Sequence, residues 1–120
     1  MTRKTRPVAG KKGGQRKELA SAMLDALIEE ATVDAHDESE QTTGFYTMLE
    51  DHLAIPFKTD VLGMEVIVER IDITDDDRIV AVCARGKSRQ RIPIIELPLP
   101  DPPPEGSEWI HAYRRWARRR

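Results

Sequence analysis

A chain of 120 residues, 39% hydrophobic and 33% charged, has room for one small core under a heavily charged surface and argues against two folded domains. Its apolar stretch Ile92 to Leu99 is broken by Pro93, Glu96 and Pro98 and falls far short of the roughly 20 residues a membrane helix needs, so no contact with a membrane is expected. The single cysteine, Cys83, excludes an internal disulfide and any Cys₂ or Cys₄ metal site, and suits a reducing, cytoplasmic compartment.

The first residues are basic but lead into Gly10, Gly13 and Gly14 rather than an apolar core, so a secretory signal is not expected. Residues 1–16 hold almost no large apolar side chain to offset their ordering entropy and are predicted to be a disordered basic arm. From about Lys17, Ala20, Leu24, Leu27, Ile28 and Ala31 recur every three or four residues and predict a helix running to about Val33. Asp37 followed by Glu40 has the form of a capping box, and Phe45, Met48, Leu49 and Leu53 supply a second helical stripe that Pro56 stops. Two helices joined by Asp34-Ala35-His36-Asp37 are expected to form a helical hairpin.

After Pro56 the period becomes two. Val61 to Ile71 is rich in β-branched residues and predicts strand, Gly63 bend, strand. Asp75-Asp76-Asp77 predicts a turn, Ile79 to Cys83 a third strand with Cys83 buried, and Gly86-Lys87-Ser88 a turn before a strand from Arg91 to Leu97. Leu97 to Pro104 reads as an extended proline-rich strap. Ser107 and Glu108 then open a C-terminal helix whose Trp109, Ile110, Tyr113 and Trp116 should dock on the body. The expected fold is α+β: an N-terminal helical hairpin packed on a small antiparallel SH3-like β-barrel or bent sheet of four or five strands, with a C-terminal helix. Residues 17–117 would form a single domain and 118–120 a basic tail.

Catalytic signatures are missing. Ser21, Ser39, Ser88 and Ser107 have no nucleophile-elbow context, and His36, His52 and His111 lack metal-ligand spacing. Gly86-Lys87-Ser88 resembles the end of a phosphate-binding loop, but Ala81 stands where that motif needs its first glycine. A non-enzymatic, binding role is therefore expected.

The net charge of −2 conceals three blocks. Residues 1–17 hold seven cations and no acid, residues 18–84 hold 17 acids against Lys58, Arg70 and Arg78, and residues 85–120 hold nine cations against four acids. Two acidic clusters stand out, one of Glu29, Glu30, Asp34, Asp37, Glu38 and Glu40, the other of Asp72, Asp75, Asp76 and Asp77. Oxygen donors at this density suit Ca²⁺, which takes six to eight of them in flexible geometry. Neither cluster is an EF-hand: counted from Asp72, the glycine position holds Asp77 and the closing glutamate position holds Cys83. On composition alone the favoured reading is that the acids form a solvated face, with the Asp triplet acting only as turn chemistry.

Arg85, Lys87, Arg89 and Arg91 alternate and would share a strand face. That face could track a nucleic-acid backbone or pair with Glu65 and Glu69, and pairing is the expected outcome.

Three stretches, Glu29 to Gln41, Gly44 to Glu50 and Leu53 to Phe57, resemble the small bacterial calcium-binding family of CcbP type. The Leu97-Pro98-Leu99-Pro100 stretch and the tryptophan-bearing C-terminal helix are also similar, so the likeness covers roughly residues 25–117. The resemblance implies a cytosolic calcium buffer or sensor that captures Ca²⁺ through surface carboxylates, with Asp34, Asp37, Glu38 and Glu40 and the group Asp72, Asp75, Asp76 and Asp77 as ligand candidates. The basic ends keep a nucleic-acid or ribosome-associated module open as an alternative. The strap and C-terminal helix leave room for a protein partner.

Overall fold

In the computed structural model, which describes residues 9–119, three helices pack against one antiparallel sheet. Helix α1 spans Ala9–Thr32 and α2 spans Glu38–His52. Strands β1 (Phe57–Val61), β2 (Met64–Ile73), β3 (Ile79–Arg85) and β4 (Ser88–Pro93) follow, and α3 (Glu108–Arg119) closes the chain. Helix α1 starts ahead of the Lys17 expected from periodicity. Residues 1–8 of the expected arm and Arg120 of the expected tail lie outside the described residues.

The start of α2 follows from its sequence. The Asp37 carboxylate accepts from the Glu40 backbone N–H at 2.9 Å, and Glu40 Oε1 accepts from the His36 N–H at 2.7 Å, the reciprocal bonds of a capping box. From that fixed start, Thr42, Phe45 and Leu49 turn inward. The two helices approach so closely that a Cβ on Gly44 would lie 2.1 Å from the Ala31 carbonyl oxygen. Only glycine permits that crossing.

The sheet order β1-β2-β3-β4 is a simple meander, and β1 and β4 are its two edges. The barrel expected from the sequence is therefore corrected: the sheet is open and not SH3-like. Short turns join each strand to its chain neighbour, and four strands are too few to curl around a side-chain core of their own. Helices supply the missing wall. Leu62 and Gly63 turn β1 into β2 with φ of 52° and 78°, and Asp77 at φ 61° closes the β2–β3 turn. A register shift between Val68 and Arg70 leaves Glu69 as the extra residue of a bulge.

On the inner face, Val68, Ile71, Ile79, Ala81 and Cys83 join Phe45, Leu49 and Leu53 with Trp109, Ile110, Tyr113 and Trp116 in one core. Phe45 sits 5.5 Å from Tyr113 and 5.2 Å from Trp116 between ring centroids. The C-terminal helix docks as expected from its aromatic stripe, and Cys83 is a buried free thiol whose pKa burial pushes up. On the outer face, Val80, Val82 and Ala84 are buried as well. Two ion pairs reach from β4 to β2 across this central strand, Arg89 to Glu69 at 2.9 Å and Arg91 to Asp72 at 3.1 Å. The arginine stems shield the aliphatic row below them.

The strap is tied down from both sides. Thr59 Oγ1 donates to the Pro98 carbonyl at 2.6 Å, and the Arg114 guanidinium donates to the Ile94 carbonyl at 3.0 and 3.1 Å and to the Leu97 carbonyl. Ile94 and Leu97 are fully buried, so water cannot replace that donor. Arg114→Met is expected to destabilise the fold by about 3 kcal/mol, while Arg118→Met at an exposed position of the same helix changes stability by less than about 0.5 kcal/mol. Urea titrations of the two variants check this, and equal midpoints would refute the role given to Arg114.

Candidate metal centre

The connection between α1 and α2 gathers its acids by local structure. Glu30 lies in the last turns of α1, Asp34 in the connection, Asp37 at the N-cap, and Glu38 and Glu40 in the first turn of α2. All five are exposed. Glu30, Asp34 and Glu40 line a cleft of about 460 Å³ together with Ser39, Thr43 and Thr47. The Thr43 and Thr47 hydroxyls donate back along the helix, to the Ser39 and Thr43 carbonyls at 3.1 Å each, which leaves their oxygen lone pairs for the cleft. Sequence reading had not singled out these hydroxyls, although their spacing of four was visible beside the acids. Among the described residues, Glu30, Asp34, Asp37 and Glu40 form no ion pair with an arginine or lysine.

The acids of the β2–β3 turn have a different setting. Asp72 Oδ1 accepts from its neighbour's N–H, Ile73, at 2.8 Å, and Oδ2 pairs with Arg91. Asp76 accepts from the Thr74 hydroxyl and lies 3.3 Å from Arg78. The Thr74 hydrogen bond, aided by Arg78, holds the Asp76 carboxyl below the usual range. The Asp77 N–H donates to the Thr74 carbonyl at 3.0 Å, which makes this residue part of the turn itself. Asp75 is exposed at the tip.

A further acidic pair escaped sequence reading. Asp60 and Glu65 are direct cross-strand partners in the β1–β2 register and, with Asp101, line a cleft of about 400 Å³ beside the strap. Nothing short of the register would have brought them together, since they flank a turn in a segment read for its hydrophobic alternation. Near α2, Tyr46 donates to Glu50 at 2.9 Å, and burial followed by that bond raises the phenol pKa.

These observations fit the comparison of the chain with known proteins. A family model described as calcium binding, of CcbP type, matches residues 25–117. The chain belongs to that calcium-binding family. No curated protein and no solved structure matches it. Calcium is therefore the ion this calcium-binding protein takes, and the family is not one of enzymes.

Among the described residues, no three His, Cys, Asp or Glu side chains form a group that could hold a metal. Among the described residues the fold therefore builds no closed cage of protein ligands. Exposed carboxylates and hydroxyls around an open cleft fit a hard cation that keeps much of its water shell. No helix among the described residues is long and apolar enough to cross a membrane.

Proposed function

We propose that this calcium-binding protein is a non-enzymatic cytoplasmic buffer that captures Ca²⁺ on the surface carboxylates of the α1–α2 connection, Asp34, Asp37, Glu38 and Glu40. Glu30 and the Thr43 and Thr47 hydroxyls complete the locus. Asp72, Asp75, Asp76 and Asp77 form a weaker secondary locus. The observation carrying this reading is a contrast in neutralisation: among the described residues Asp34, Asp37 and Glu40 take part in no ion pair, whereas Arg91 and Arg78 already compensate two acids of the turn. Uncompensated like charges lose repulsion when a divalent ion arrives, and the gain is largest where no cation stands already. Buffering is favoured over sensing because the acids sit on helix ends held by a packed core, which gives ion capture no large rearrangement to drive.

Of the four hairpin cations that the nucleic-acid alternative would use, Arg89 and Arg91 are engaged by Glu69 and Asp72, which weakens that reading. The strap and α3 likewise spend their apolar and hydrogen-bonding groups within the chain.

Calorimetric titration at physiological salt tests the assignment. Asp34→Asn with Glu40→Gln, which keeps a side-chain acceptor for the His36 N–H, is expected to weaken calcium binding about tenfold, or 1.4 kcal/mol. Asp75→Asn with Asp77→Asn is expected to change it less than about threefold. A reversed order of effects would move the primary locus to the turn.

A further inference from the structure

The helices do not cover the whole inner face of the sheet. Beyond the core half that carries Val68, Ile71 and Ile79, the far end of the face forms an open groove of about 360 Å³. Val61, Leu62, Met64, Val66 and Ile92 line it, and Cys83 lies in its floor. Leu62 is 97% exposed and Met64 46%, a large apolar display for so small and charged a protein. Arg85 lines the rim, with Lys87 next to it in the β3–β4 turn. Both are exposed, and neither has an ion-pair partner among the described residues. The rest of the body, from residue 18 to 84, is dominated by acids.

We infer that this groove docks an acidic amphipathic helix of a partner protein, its apolar stripe against Val61, Leu62, Met64, Val66 and Ile92 and its carboxylates against Arg85 and Lys87. Charge complementarity selects the sign of the partner, since two unpaired cations frame an apolar floor. Geometry selects a helix. The groove is lined by residues of all four strands and so crosses the sheet, about 14 Å at the usual strand spacing, which is the length of about ten helical residues. The β2 and β3 backbones beneath it are already paired on both sides, so an extended segment would bury its own N–H and C=O groups without partners. A helix satisfies those groups internally and continues the helical layer that covers the other half of the face. A nucleic acid would gain little from a floor of aliphatic side chains. The inference is independent of where calcium binds.

The test uses the full chain with methyl-labelled side chains and two synthetic peptides of about fourteen residues, long enough to span the groove. One has leucines at helical spacing with glutamates elsewhere, and the other replaces the glutamates with lysines. The glutamate peptide is expected to shift the Leu62, Met64 and Ile92 methyl signals and to bind at least about tenfold more tightly than the lysine peptide. Arg85→Glu should erase that preference. Leu62→Asp, exposed and on a turn residue whose positive φ suits aspartate, should weaken binding without altering the melting temperature. Equal affinity for the two peptides, or no methyl shifts at millimolar peptide, would overturn the inference. Concentration-dependent self-association that Leu62→Asp abolishes would also overturn it, by assigning the groove to a second copy of the chain.

Discussion

Gly44→Ala is expected to lower the stability of this protein by about 3 kcal/mol, although it replaces the poorest ordinary helix former with the best. In a freely exposed helix the same change stabilises by about 1 kcal/mol, so the sign of the result is diagnostic. The reason is the crossing of α1 over α2, where the added methyl would sit 2.1 Å from the Ala31 carbonyl oxygen. That neighbour is backbone inside a helix and cannot rotate away, so α1 must lift as a body. Because Gly44 also lines the cleft with Glu30, Asp34 and Glu40, lifting α1 separates acids on the two helices and should weaken calcium binding in parallel. Thr43→Ala, one residue away and exposed, should leave stability within about 0.5 kcal/mol. A Gly44→Ala melting temperature at or above that of the native chain would show that the helices are not in close contact.

Phe45→Ala should be more damaging, at about 4 kcal/mol. Phe45 is fully buried and joins α2 to α3 through its edge-to-face contact with Tyr113 and its tilted contact with Trp116. Removing it leaves a cavity where three helices and the sheet meet, and forfeits aromatic pairs worth about 1 kcal/mol each beyond their buried area. For a domain of this size the loss corresponds to a fall in melting temperature of roughly 15 °C. Phe45→Leu, which retains most of the volume, should lose about 1.5 kcal/mol. Calcium at about a hundred times its dissociation constant should stabilise each variant by about 2.7 kcal/mol, which offsets part of the Phe45→Ala loss and exceeds the Phe45→Leu loss. Thermal melts followed by tryptophan fluorescence, with and without calcium, check the whole set. Phe45→Ala melting within a few degrees of the native chain would mean that the aromatic cluster does not hold the layers together.

Much of this architecture can be read locally. The Asp37–Glu40 capping box, the inward stripe of Phe45 and Leu49, the bend at Gly63 and the aromatic face of α3 each depend on residues within a few positions of one another. The open sheet was not legible, because alternation tells which residues share a face but not whether the first strand meets the last. Nor was the burial of Val80 and Val82 on the outer face, which depends on arginines of β4 reaching across to β2.

The candidate site divides in the same way. By itself, the sequence determined the acidic clusters, the absence of catalytic motifs and the likeness to a calcium-binding family, since composition and short strings survive without coordinates. Only the tertiary structure decided which acids are already compensated: Asp72 meets Arg91 through strand register, while Asp34 and Asp37 form no ion pair among the described residues. It also brought Asp60 opposite Glu65 and left the far end of the inner face without a helix. Charge pairing and coverage act through space over about 4 Å, whereas chain neighbours reveal only what lies within a turn or two along the backbone.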